Sequence, residues 1–268
     1  MWRQNDRALI KMLSDLRVGN VLDDLAAFFE QRYSVYDPRL RTRTLTDLDA
    51  THILPDRVGL AKHRNKCLST MEHLYGSNRR VDEATDYRIG VYMSKELVNK
   101  LLNQALMAPE RLELCTAARV ASCTKLTPDD VEIPNGTIGS VEEFRTFTAC
   151  VPGGRSTMVP VVRIENVAGP TLVCVKPCDM KLQAVARDVP YACCLHVPLA
   201  LAWAVTVHRC RGLTMNAAVV ELPLCFVWGM VYVALFRVKT MSGVHVLFFD
   251  REKVRDDPVV LAFYRDEL

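Results

Sequence analysis

The chain has little of several things that would settle its class at once. Its 34 lysines and arginines are nearly matched by 31 aspartates and glutamates, a net charge of +3. That balance is compatible with a nucleic-acid groove and says no more. Among twelve glycines, none stands in a G-x-x-x-x-G-K-[ST] pattern. These residues therefore lack the loop whose backbone N–H groups cradle phosphates, its lysine, and the hydroxyl that holds magnesium. No acidic pair after an apolar strand is placed to hold that metal either. The ten cysteines are scattered. Cys174-x-x-x-Cys178 and Cys193-Cys194 find no second pair with nearby histidines, so no zinc spacing is completed, and small buried thiols in a reducing compartment are expected. No segment reaches the roughly 20 clean apolar residues of a membrane span. The run from Val189 to Val207 contains Pro190, His196 and Pro198, and the run from Leu222 to Phe236 is short and broken by Gly229. Repeats and low-complexity tracts are absent. The first residues mix bases with Asp6 and Asp15, unlike an acid-poor transit peptide. The last four, Arg265-Asp266-Glu267-Leu268, look like a retention tail of the endoplasmic reticulum, but no secretory signal accompanies them and coincidence is the better reading.

What is there is concentrated late in the chain. Between Pro190 and Phe249 the only charged residues are Arg209, Arg211, Glu221, Arg237 and Lys239. A buried cation without an anionic partner is costly, so four cations at two spots in a greasy segment need a reason. The simplest is an anion: a nucleotide phosphate, a nucleic-acid backbone, or both. Leu201 to Val207, Ala217 to Leu222, Val231 to Leu235 and Val244 to Phe249 read as short apolar runs separated by turns. Continuous apolar runs predict strands of a parallel α/β sheet, with polar ligands off the strand ends, where His208 to Gly212 and Arg237 would fall.

Upstream, Asn5 or Asp6 caps a predicted helix with Leu9, Ile10, Met12, Leu13 and Leu16 inward and Gly19 as its stop. Asn20 opens a second, with Val21, Leu22, Leu25, Phe28 and Phe29 inward, so the pair forms a helical hairpin on the sheet. Tyr33 to Asp49 is polar, and Arg39, Arg41 and Arg43 alternate there. Ile53-Leu54-Pro55 predicts a short strand feeding a helix from Arg57 to His73. Gly76 to Tyr87 reads as loop and Ser94 to Met107 as an amphipathic helix. From Leu112, short segments at 118–121, 139–144, 156–164 and 171–175 alternate with turn chemistry at Pro128-Asp129, Asn135-Gly136, Pro152-Gly153-Gly154 and Gly169-Pro170. That rhythm predicts a small barrel. The resulting organisation is residues 1–111 as the first part of an α/β domain, 112–188 as an inserted barrel, and 189–268 as the remainder, with the parallel sheet resuming at Tyr191.

The late segment resembles the Pif-type 5′-to-3′ DNA helicases of superfamily one. It carries Leu201-Ala202-Trp203-Ala204, Thr206, His208-Arg209-Cys210-Arg211-Gly212 and Thr214, then Tyr232-Val233-Ala234-Leu235-Phe236-Arg237. The family's motifs are close to LAWA-T-HKSQG-T and YVALSR. Pro198-Leu199 is similar to the family's Q-x-P-L lead-in, with His196 for glutamine. Asn135-Gly136-Thr137-Ile138-Gly139 is similar to its NG-x-x-G turn, and Trp2-Arg3-Gln4 with Asp6 to the FRQ-x-D motif of its second motor domain. The departures are Arg209, Cys210 and Arg211 for lysine, serine and glutamine, Phe236 for serine, and Met230 for glutamine.

The resemblance implies a RecA-like parallel sheet, the second helicase motor domain, with an inserted small Src-homology-3-like barrel, and without the P-loop half. It implies Arg237 as the catalytic arginine that reaches the γ-phosphate, with Arg3, Gln4 and Gly212 also contacting nucleotide. Thr206, His208, Arg209, Arg211, Thr214 and Asn135 are implied on the DNA side. Trp2, Trp203 and Trp228 are candidates to stack on bases, although the apolar runs around Trp203 and Trp228 read as core. ATP and Mg2+ are the family's cofactors, single-stranded DNA its ligand, and a protein or paralogue supplying the P-loop domain the expected partner; no membrane is expected. Three functions follow as expectations: a helicase-like protein of DNA repair and recombination that binds single-stranded DNA without its own ATPase, the later part of a complete ATP-dependent helicase, or a non-enzymatic scaffold. The resemblance points to the mitochondrion, with the nucleus as alternative.

Overall fold

In a computed structural model of the chain, the residues described are 6–18, 20, 23–35, 50–76, 79–83, 85–88, 111–127, 132–148, 156–166, 169–183, 190–210, 213–221, 228–247, 250, 252, 254 and 257–266. The chain divides into two compact units, Met1–Arg64 with Trp203–Leu268, and Asn65–Ala202.

Among the described residues the first unit is built on a four-stranded, all-parallel sheet, consistent with a RecA-like domain. In chain order its strands are β1 (Thr51–Leu54), β12 (Ala204–Thr206), β13 (Ala218–Glu221) and β14 (Val244–Leu247), and the spatial order is β12-β1-β13-β14. The register sets Ile53 against Val205 and Val220, and Val220 against Val246. Those four side chains therefore share one face. Helix α1 (Arg7–Arg17) covers it with Leu9, Met12, Leu13 and Leu16, and Leu25 and Phe29 of helix α2 (Asp23–Val35) join the same core. The hairpin is therefore as expected, although α2 starts at Asp23 rather than after Asn20. Each fully buried leucine contributes roughly 2 kcal/mol. Asp6 fixes the start of α1. Its Oδ1 accepts the N–H groups of Ala8 at 3.0 Å and Leu9 at 3.3 Å, and its Oδ2 accepts that of Met241 at 2.8 Å. One carboxylate thus caps a helix and pins the turn before β14. On the other side of β1, Asp56 caps helix α3 (Arg57–Tyr75) through the N–H of Gly59 at 2.7 Å.

The second unit is antiparallel. One sheet has the order β11-β5-β6-β7-β8, with β5 (Arg119–Ser122), β6 (Ile138–Thr148), β7 (Ser156–Asn166), β8 (Gly169–Cys174) and β11 (Leu199–Leu201). A second pairs β10 (Pro190–His196) with β3 (Thr85–Arg88) and β9 (Cys178–Gln183), and a third pairs β2 (Arg80–Glu83) with β4 (Arg111–Leu114). The expected insertion at 112–188 lies inside this unit, and its strands also pair with β2, β3, β10 and β11.

Four expectations change. Gly76 to Tyr87 holds strands β2 and β3, which are too polar to read as strands. The parallel sheet resumes at Ala204, because β10 pairs antiparallel with β3 and β9. The apolar run from Leu201 to Val207 is divided between two sheets: Leu201 pairs with Val120 and Ala204 with His52. Val231 to Leu235 lies within helix α4 (Met230–Leu235), so Arg237 follows a helix rather than a strand. Arg39, Arg41 and Arg43 and the helix expected at 94–107 lie outside the described residues.

Candidate nucleic-acid interface

Strand β12 ends at Thr206, and the chain turns at once. The Thr206 carbonyl accepts the N–H groups of both Arg209 and Cys210 at 2.9 Å, and the N–H of Val207 donates to Leu54 O at 3.0 Å. The turn therefore hangs from the carboxyl end of the sheet, where parallel α/β sheets present ligand sites. Its side chains sort by role. Thr206 is buried, Cys210 is fully buried with its thiol 3.0 Å from Val207 O, Arg209 is half-buried, and His208 and Thr214 are exposed. Cys210 in place of the family's serine is thus a core substitution. Among the described residues, His208, Arg209 and Thr214 are the polar side chains of this segment past Thr206 that reach solvent.

Arg237 is tied to the same segment through the backbone. Met215 N–H donates to Arg237 O at 2.8 Å, and Lys239 N–H donates to Met215 O at 3.0 Å. Cys210, Met215 and Val238 share one apolar core with Leu235. Gly243 is required here, since a Cβ would press on the carbonyl of Asn216. The Arg237 side chain lies back along helix α4. Its Nε donates to Val233 O at 3.1 Å, and its guanidinium sits 4.9 Å from the centre of the Phe236 ring, itself stacked on Tyr232 at 5.5 Å. Phe236 in place of serine therefore provides an aromatic shelf for the arginine.

Behind the sheet lies a titratable group that sequence reading missed. His52 is buried in β1, its ring 4.0 Å from that of His63, and its Nδ1 4.0 Å from Glu221 Oε1. Burial, and then the negative charge of Asp56, pushes the Glu221 carboxyl up from its usual 4.5. Neither His52 nor Glu221 carries a motif, and only the strand register places them together.

Asn135 belongs to the second unit. It is exposed in the turn before β6, with Gly136 at φ 83°, and Ser122 knits that turn through its Oγ to Pro134 O at 2.8 Å and from Thr137 N at 3.1 Å. Trp203 is buried as expected, whereas Trp228 is 53% exposed because it stands in the turn ahead of helix α4. Trp2, Arg3, Gln4, Arg211 and Gly212 lie outside the described residues. Among the described residues no group of histidine, cysteine, aspartate and glutamate is arranged to hold a metal ion, and no helix is long and apolar enough to cross a membrane. Burial, then Asp179, raises the Cys178 thiol above its usual 9.0, against a role as a ready thiolate ligand.

No family model matches the chain. The ATP-dependent DNA helicase PIF1 of Rattus norvegicus is 41% identical over 266 residues, covering 98% of this chain and 37% of that protein. PIF1 of Xenopus laevis is 29% identical over 267 residues, covering 98% and 36%. The chain is a homologue of the Pif1 DNA helicases. It spans about a third of the length of these Pif1 relatives. The Pif1 helicase of Candida albicans superposes with a TM-score of 0.77 at 24% identity, covering 100% of this chain and 60% of that one. A Bacteroides Pif1 in complex with ADP-AlF4 superposes at 0.69 and 18%, covering 98% and 54%. At these identities the superpositions speak for the fold. The Pif1 family uses ATP and Mg2+, but the residues present here do not fit a complete nucleotide site. They contain no phosphate-cradling loop, and Arg237 is folded onto Val233 and Phe236.

Proposed function

We propose that this part of a Pif-type helicase grips single-stranded DNA in genome maintenance and does not hydrolyse ATP by itself. The observation that carries the reading is the backbone join between Met215 and Arg237, which makes the turn after β12 and the arginine segment one structural piece. His208 and Thr214 offer exposed polar groups and Arg209 a cation beside them, the combination that positions a phosphate backbone. The antiparallel second unit takes the place of the family's inserted Src-homology-3-like barrel. With its Nε bonded to Val233 O, Arg237 would meet a phosphate through its terminal guanidinium nitrogens. A partner domain carrying a P-loop would have to present that phosphate, because lysine, hydroxyl and magnesium ligand all come from such a domain.

The share of each relative that is matched favours a second reading, in which these residues work as the later part of a complete ATP-dependent helicase. An in-frame P-loop in the genomic sequence ahead of Met1 would decide for it. Two assays on the purified 268-residue protein test the main reading. Binding to a labelled single-stranded oligonucleotide is expected at low salt, and DNA-stimulated ATP hydrolysis is not. Turnover that survives repurification and vanishes in Arg237→Ala would overturn the ATPase statement. A folded sample that binds no oligonucleotide would favour a scaffold instead.

A further inference from the structure

A cavity of about 250 Å3 opens beside strand β2 in the second unit. Its floor is apolar, made by Leu112, Leu114 and Val197, each almost fully buried. Its walls include Phe144 of β6 and Met158 of β7. Three charged groups stand at the rim. The Arg80 guanidinium lies 5.1 Å from the centre of the Phe144 ring, and among the described residues no carboxylate pairs with it. Arg79 is different. Its charge is already used by Glu72 at 2.9 Å and Glu113 at 3.1 Å.

The remaining rim group is Asp82. Its Oδ2 accepts the N–H of Val197 at 3.3 Å and stands 3.5 Å from Nε2 of the buried His196. The carboxylate is thus held by one oxygen, and among the described residues Oδ1 has no partner, on a side chain 32% exposed.

An apolar slot with a ring wall, a carboxylate at its rim and a guanidinium that no described carboxylate pairs with matches a particular chemistry. A flat heteroaromatic ring fills the slot, an N–H donor meets Asp82, and an anion attached to the ring meets Arg80. We propose that the cavity holds one base of single-stranded DNA and selects a base bearing an exocyclic amino group, cytosine being the smallest. The proposal rests on the single-stranded DNA binding put forward above. Cytosine turns its amino group to the carboxylate as a donor. Thymine brings its only N–H flanked by two carbonyl oxygens, which the carboxylate repels. A cationic protein side chain would suit Asp82 but would meet Arg80.

The test is fluorescence anisotropy with labelled oligo(dC) and oligo(dT) of equal length at one salt concentration. The native protein should prefer oligo(dC) by roughly fivefold, the worth of one satisfied hydrogen bond. In Asp82→Asn the amide oxygen keeps the Val197 bond, so the NH2 faces the slot as a donor and the preference should vanish or invert. Met158→Trp, at a position 37% exposed, should fill the slot and remove the preference while weaker, sequence-blind binding and its salt slope persist. Equal affinity for the two oligonucleotides in the native protein overturns the proposal, as does a preference unchanged in both variants. Loss of all DNA binding by folded native protein overturns the underlying DNA reading, and this proposal with it.

Discussion

In the first unit, β1 is buried at all four positions and β12 at all three, whereas in the second unit β2 is mostly exposed. The contrast follows from sheet type. Parallel strands are covered on both faces and can hold polar groups only past their ends. Antiparallel strands face water on one side, so charge can stand along their length, as Arg163–Glu142 at 2.8 Å does on the β6–β7 hairpin. Candidate ligand groups of the first unit therefore gather at the carboxyl end of the sheet, in the turn after Thr206. Those of the second line a slot beside a strand edge.

Breaking one core should show whether the two units stand independently. Leu235 is fully buried in the first unit's core, and Leu235→Ala should cost about 3 kcal/mol. Denaturant unfolding measures the loss, and hydrogen exchange should show the β6–β7 hairpin unaffected. Protection lost in step across that hairpin would mean a single cooperative core. The next effect is on DNA. Arg209→Ala should weaken oligonucleotide binding a few-fold and reduce the slope of log affinity against log salt by about 0.7, one phosphate contact to a single strand. An unchanged slope would remove Arg209 from the interface.

Smaller effects depend on pH. Hydrogen bonds from Met241, and then from Leu9, hold the Asp6 carboxyl below its usual 3.8. A depressed folded value stabilises above 3.8, and that contribution disappears as pH falls through the lower folded value. Asp6→Asn should therefore lower the melting temperature at neutral pH and lose its effect in strong acid. Glu221 has the opposite sign. Its folded value is raised above 4.5, so its ionisation costs stability as pH climbs through that raised value. Glu221→Gln should then melt higher than the native protein at neutral pH and alike near pH 4. A native-like melting temperature at both would show that the acid is well solvated.

The same contrast explains what the amino-acid sequence disclosed. Helix α1 was legible because Leu9, Met12, Leu13 and Leu16 recur at helical spacing behind a capping Asp6, and β13 and β14 because buried parallel strands are mostly apolar. The turn after β12 was legible through its motif. The run from Leu201 to Val207 misled for a physical reason: β11 and β12 are both wholly buried, so nothing in polarity marks the change of sheet between them. Helix α4 misled likewise, since Val231, Tyr232 and Val233 favour strands while Gly229 and tertiary burial favour the helix. The slot around Asp82 was invisible, because Arg80, Asp82, Phe144 and Val197 meet only after β2 has paired with β4.

The most direct test of the account is amide hydrogen exchange on the protein with and without a saturating single-stranded oligonucleotide. Residues 207–215 should gain protection together with the 237–239 segment joined to them, while the interior of α1 does not change. An oligonucleotide bound tightly with exchange in 207–215 unaltered would contradict it.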